Sequence, residues 1–344
     1  MNFSVGYQLR PSSDWVDAIV ENQARVAEVY FAWPGFANGR SDASQAAGFS
    51  PWQAQARLEA DLSRIAAAGI PTNLLLNAMC YGAESQARSL FNRVGETLDD
   101  VSRRFQTRSV TTTSPLIAKF VHENFPGMEV RASVNMEIGS VRAMETVEAY
   151  FDGFYLQREL NRRPEAIERM KRWCDGRGKR LYFLANSGCV ADCAMHVFHD
   201  NLVAHEREIA GRDNAYDFHG VCWERLSDPE HRGEYLRNAT FVRPEDLHLY
   251  AQWFSVAKLA TRANRDPVGV LRAYMAERYS GSLPALMEPN HEGAFAPDVL
   301  ENGALPADFG KHVMECSQEC DKCDYCIRAF QGALIHLNGD EFLC

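Results

Sequence analysis

The chain has 344 residues, 46% hydrophobic and 24% charged, with 46 acidic against 36 basic residues for a net charge of -10. That length suits one α/β barrel with insertions, the composition excludes a disordered or fibrous chain, and the negative field disfavours nucleic acid and anionic lipid as partners. With no apolar run of membrane-spanning length and no charged-then-apolar leader pattern, a cytoplasmic location is expected. There the ten cysteines read as metal ligands or catalytic groups rather than disulfides.

Short β-branched or aromatic runs alternate with helical patterns, the signature of repeated βα units. The strand candidates are residues 3–8, 26–32, 72–78, 109–112, 129–135, 153–157, 180–185 and 255–260. Between them, Ser50 is placed to cap a helix that starts on Pro51 and ends before Gly69, and Ser114-Pro115 and Arg163-Pro164 open two more. Eight such units predict an α/β fold, a (β/α)8 TIM-like barrel over residues 1–262. A polar insertion at about 189–243 breaks the rhythm and is too long for a structureless connection. Residues 263–344 form a C-terminal extension, rich in Gly and Pro and ending in a cysteine cluster.

In a parallel barrel, residues just after the strands converge on one rim. Cys80 and Cys189 end strand candidates, Cys193 follows Cys189 by one turn, and Cys222 lies in the insertion. These four are the expected ligands of a zinc ion or an iron-sulfur cluster. Their scatter over about 140 residues favours the cluster, because structural zinc draws on close knuckles. Cys174, at a helix end before a strand, is expected to be structural. A second array, Cys316-x3-Cys320-x2-Cys323-x2-Cys326, sets four thiols within eleven residues and calls for a second iron-sulfur cluster, a zinc, or further ligands to the first centre.

Beside these thiols, His196, His199 and His205 supply imidazoles able to move protons near neutral pH. Arg158 and Glu159 follow the sixth strand and Lys258 lies in the eighth. A guanidinium at that rim can grip a carboxylate in two-pronged fashion, so a small anionic substrate is expected. Asn77, Asn135 and Asn186 also close strands, where they either bind a substrate oxygen or fix loop geometry.

Four segments carry a resemblance: Arg158-Glu159-Leu160, Asn186-Ser187-Gly188-Cys189 with Cys193, Arg243-Pro244-Glu245-Asp246-Leu247, and Lys258 to Arg262. Together they resemble the peptidase U32 family, the collagenase-like peptidases. The resemblance implies a barrel and a four-cysteine 4Fe-4S cluster, as in members that hydroxylate RNA bases or quinone precursors without molecular oxygen, with prephenate as the oxygen source. The short Cys189-x3-Cys193 spacing and the C-terminal array depart from many relatives. The expected function is oxygen-independent hydroxylation, or a related oxidoreductase or group-transfer reaction, on a small molecule. Two alternatives stand beside it: a peptidase, although no nucleophile elbow or His-Glu-x-x-His helix is present, and a non-catalytic iron-sulfur subunit working with a paralogous partner.

Overall fold

A parallel strand enclosed by helices outside and by the opposite wall inside is buried on both faces. Thr72–Leu76 is buried at all five positions and Val26–Ala32 at five of seven. The computed structural model describes residues 1–39, 48–218 and 220–337. Its first part runs β1 (Asn2–Gly6), α1 (Asp14–Glu21), β2 (Val26–Ala32), α2 (Pro51–Ala67), β3 (Thr72–Leu76), α3 (Arg88–Phe105), β4 (Thr107–Thr112) and α4 (Pro115–Asn124). It continues through β5 (Glu129–Ala132), α5 (Val141–Val147), β6 (Gly153–Tyr155), α6 (Pro164–Asp175) and β7 (Arg180–Tyr182). Four short helices follow, α7 (His196–Ala204), α8 (Glu206–Ala210), α9 (Val221–Ser227) and α10 (Glu234–Arg237), before β8 (Val256–Leu259) and α11 (Pro267–Ala276). The tail holds α12 (Glu292–Phe295), β9 (Asp298–Leu300), α13 (Phe309–Glu315), α14 (Tyr325–Ala333) and β10 (Leu334–His336).

The eight strands pair in parallel in the order β7-β6-β5-β4-β3-β2-β1-β8. The ring closes just beyond β7, where Lys258 N donates to Phe183 O at 3.2 Å and Ala185 N donates to Lys258 O at 2.9 Å. The protein is therefore a (β/α)8 barrel. All eight expected strands are present, several shorter at their C-terminal ends than their apolar runs. At β5, for example, the Ser133 side chain accepts from Asn135 N and turns the backbone into a 3-10 turn instead of further ladder.

Local chemistry sets the helices. Ser50 and Gln53 form a reciprocal capping box across Pro51, and α3 buries Leu90, Val94, Leu98, Val101 and Phe105 along one stripe. Alternation along the strands sends Phe3, Val5, Phe31 and Leu74 outward to the helix layer, while Ser4, Glu28, Arg131 and Lys258 are buried on the other face. At the centre, Arg131 Nη1 reaches both Glu28 oxygens at 2.7 and 2.8 Å, and Ser4 Oγ donates to Glu28 Oε1 at 2.7 Å. The insertion and the tail pack on each other, α9 against α12 and α10 against α14, and α11 packs on α1. Cys174 is fully buried at the end of α6; burial pushes its thiol up to about 12, which suits an inert core position.

Removing one member of a buried ion pair leaves the other charge uncompensated, at a cost of about 3–5 kcal/mol. Arg131→Leu is expected to lower the unfolding free energy by that amount in urea titration, and the double variant Glu28→Leu/Arg131→Leu to recover a large part of it. A double variant as unstable as the single one would show that the pair does not organise the barrel interior.

Candidate active site at the strand-end mouth

Just past β3, β5 and β6, short turns bring polar side chains together. Arg158, in a 3-10 turn over Arg158–Arg162, is buried; its Nη2 donates to Asn135 Oδ1 at 2.8 Å, and its Nη1 lies 2.8 Å from His196 Nε2. Arginine has no acceptor, so Nε2 must be the unprotonated nitrogen and Nδ1 must carry the proton. Nδ1 pairs with Glu137 Oε1. Asp200, one turn along α7, places Oδ2 3.4 Å from the same Nε2. The Glu137 carboxyl is pushed up mainly by burial, with Glu159 and Asp200 adding to the rise and Arg158 opposing it. Among the described residues Arg158 Nε and Glu159 Oε2 are buried without a hydrogen-bond partner, so each has capacity left for a ligand or a water.

Asn135 Nδ2 also donates to Asn77 O at 3.4 Å, and Gly39 N donates to Asn77 Oδ1 at 3.3 Å. Asn186 has a positioning role: its Nδ2 donates to Ala260 O and Leu286 O, both at 2.8 Å, and its Oδ1 accepts from Ala260 N. This fastens the Asn186-Ser187-Gly188-Cys189 turn to β8 and the tail. At Gly188 the fit is closest, since a Cβ there would stand 2.0 Å from Pro289 O.

Three of the four scattered cysteines come within electrostatic reach of one another. The Cys222 thiol is pushed up to about 11, first by burial and then by Cys189 and Cys193. His291 Nε2 lies 3.3 Å from Cys222 Sγ, and burial pulls that imidazole down to about 4, keeping it neutral. Cys80 stands after β3, four strands around the ring from β7, where its Sγ accepts from Gly82 N at 3.3 Å. Among the described residues no three His, Cys, Asp or Glu side chains stand as the ligands of a single metal ion do. A cluster of four irons spreads its thiolates more widely than one ion does. Soft, crowded thiols with a neutral imidazole alongside fit that donor chemistry at Cys189, Cys193 and Cys222.

The remaining expected residues are dispersed. His199 meets Phe218 edge-on and lies beside Gly220, close to Cys222. His205 caps the end of α7, pairs with Glu208 at 3.4 Å and stands over Gly82, near Cys80. Lys258 lies inside the barrel, its Nζ 4.3 and 4.5 Å from the ring centroids of Tyr30 and Tyr155. Burial pulls its ammonium down to about 7; Glu28 opposes that, Arg131 and Arg262 reinforce it, and Glu288 opposes it again. Cys316 ends α13, Cys320 and Cys323 lie in the loop that follows, and Cys326 lies in the first turn of α14. The sequence reading missed Glu137, Asp200 and His291. Asp200 carried a signal, one helical turn from His196; Glu137 and His291 carried none, because their partners are distant in sequence.

Fold and site together define a (β/α)8 barrel with a cationic and imidazole cluster at its strand ends. No family model matches the chain. Among curated proteins it is 25% identical over 272 residues to the uncharacterized protease MJ1657 of Methanocaldococcus jannaschii, covering 76% of each chain. Among solved structures it is similar to the U32 peptidase Mk0906, with TM-score 0.48 and 14% identity over 63% of this chain and 83% of that one. A GH113 β-1,4-mannanase complex gives TM-score 0.40 and 10% identity over 78% and 91%. The relative carries a protease name, and the segments around Arg158, Asn186, Arg243 and Lys258 resemble the peptidase U32 family. Among the described residues no helix is long and apolar enough to cross a membrane.

Gly188→Ala is expected to destabilise the fold measurably and to shift the Cys189 turn, because its new methyl meets backbone rather than a movable side chain; wild-type thermal stability in this variant would refute the close contact. Lys258 gives a pH signature. Unfolded, its ammonium returns to the ordinary 10.5, so between pH 7 and 10.5 the unfolded chain holds a proton the folded chain lacks, and this group makes stability rise with pH across that window. Urea midpoints of wild type and Lys258→Met should differ by that rising component, which the variant lacks.

Proposed function

We infer that the chain is an iron-sulfur enzyme of the U32 type that acts on a small anionic molecule, by oxygen-independent hydroxylation or a related redox or group-transfer reaction. The observation that supports this most directly is the buried Arg158 guanidinium, held by Asn135 and His196 at the strand ends, on the same rim as the turn carrying Cys189 and Cys193. A carboxylate or phenolate would be drawn to the open Nε of Arg158. His196 would take a proton on Nε2, exchanging the Arg158 contact for Asp200, while Glu137 holds Nδ1 and fixes the ring. Cys189, Cys193 and Cys222 would hold the cluster, with Cys80 or His291 as the fourth ligand. When bound, such a centre supplies an electron reservoir and a Lewis-acidic iron.

The protease name of the MJ1657 relative keeps peptidase activity as the second reading. Anaerobic purification with iron and sulfide analysis tests the first. Ser replacement of Cys189, Cys193 or Cys222 should each remove most of the mouth-bound iron, and comparing Cys80→Ser with His291→Ala names the fourth ligand. Arg158→Ala should lower kcat/KM by roughly ten- to 150-fold, the worth of one charged hydrogen bond, read as prephenate-dependent hydroxylation without oxygen. Casein cleavage by a metal-free sample, lost in neither cysteine nor Arg158 variants, would overturn this reading and favour a peptidase built elsewhere on the barrel.

A further inference from the structure

The C-terminal thiols lie outside the mouth, and the fold has prepared a place for them. Helices α13 and α14 are clamped where the His312 ring stacks on Tyr325 at 3.6 Å and Phe309 stacks on the same ring at 6.1 Å. The clamp sets Cys316, at the end of α13, opposite Cys326, in the first turn of α14. Cys320 and Cys323 fall in the loop between, where Gln318 Nε2 donates to Arg162 O at 3.0 Å. The Arg162 guanidinium also lies 5.8 Å from the Phe309 ring of α13, so the helix end, the cysteine-bearing loop and this guanidinium share a neighbourhood.

Arg162 is the independent pointer. It is 8% exposed, its Nη1 donates to Leu236 O at 2.9 Å, and among the described residues its Nε and Nη2 are buried with no hydrogen-bond partner. Asp246, a carboxylate that acts on it, is already engaged in both prongs by Arg243 at 2.7 and 3.1 Å. A buried guanidinium with two idle nitrogens is costly unless an anion meets it. Protonated thiols supply none, whereas four thiolates around one metal centre carry net negative charge and sulfur acceptors.

We propose that Cys316, Cys320, Cys323 and Cys326 form a second, tetrathiolate metal site, with Arg162 as its buried counter-charge and N–H donor. The centre is a thiophilic one. Four thiolates suit an iron-sulfur cluster, with zinc the other source of the same chemistry. Arg162 touches no substrate; it is a positioning residue for the thiolates.

The test uses the full chain purified without oxygen, comparing wild type, Cys320→Ser/Cys323→Ser and Cys189→Ser/Cys193→Ser by iron, zinc, sulfide and accessible-thiol analysis. The tail variant should lose about four irons with their sulfides, or one zinc, and should expose its two remaining tail thiols to alkylation while keeping the metal of the mouth. The mouth variant should show the reverse, so either site can fail alone. Because loss of the tail could unfold the chain, Arg162→Met and Arg162→Lys provide the second arm. Arg162→Met should release the tail metal at a higher pH than wild type, and Arg162→Lys, which keeps the charge, should lie between them. Metal content unchanged in the tail variant, or an acid-release curve unmoved in Arg162→Met, would overturn the proposal.

Discussion

The ion pair between Glu28 and Arg131 is the constraint from which the barrel interior follows. An interior built of Leu and Val would pack as inert layers; here a guanidinium lies across the enclosed space and must be satisfied there. Glu28 takes two of its hydrogen bonds and Glu129 takes another at 2.8 Å. Glu129 in turn is shared with Arg180 at 2.9 Å and with the Tyr182 hydroxyl, while the Tyr182 ring covers the Arg131 guanidinium at 4.5 Å. Each charge is thus compensated by neighbours from β2, β5 and β7, which fixes how those strands face one another.

Lys258 is the odd member of that interior. Among the described residues it has no carboxylate at hydrogen-bonding distance and is accommodated by two aromatic faces, so its charge is held by ring quadrupoles and by longer-range attraction to Glu28. That arrangement costs the folded state part of the ammonium's hydration, which pulls its titration down to about 7. A proton-exchanging amine below the mouth is chemically useful in a way a fully paired lysine is not.

Much of this was legible in the chain. Val26–Ala32 and the start of α2 at Pro51 sit where alternation and capping chemistry put them, because both signals are local. Arg158 was legible for a topological reason, since any polar residue directly after a barrel strand faces the rim. The shortened strands were not, because a side-chain cap such as Ser133 ends a ladder that hydrophobicity alone would extend. The cysteines show both limits. Cys189 and Cys193 could be joined by spacing, and Cys222 only by the fold of the insertion. The same rim rule selects Cys80, which follows β3 four strands around the ring from β7, since convergence at a rim gathers residues without saying how closely they approach.

The 3-10 turn over Arg158–Arg162 carries this lesson furthest. Its two end arginines share a residue type and lie four apart, about 8 Å along a 3-10 axis, yet they serve different neighbourhoods. Arg158 turns to Asn135 and His196, which come from the strand ends. Arg162 turns to the carbonyl of Leu236 in the insertion, while its own carbonyl accepts from Gln318 in the tail. Those partners lie 74 and 156 residues away, beyond any periodicity or spacing rule, so only the folded chain shows that one short turn joins the mouth of the barrel to its cysteine-rich tail. A displacement of that turn would move both guanidinium groups together, which makes its rigidity a shared requirement of the two thiol-bearing regions.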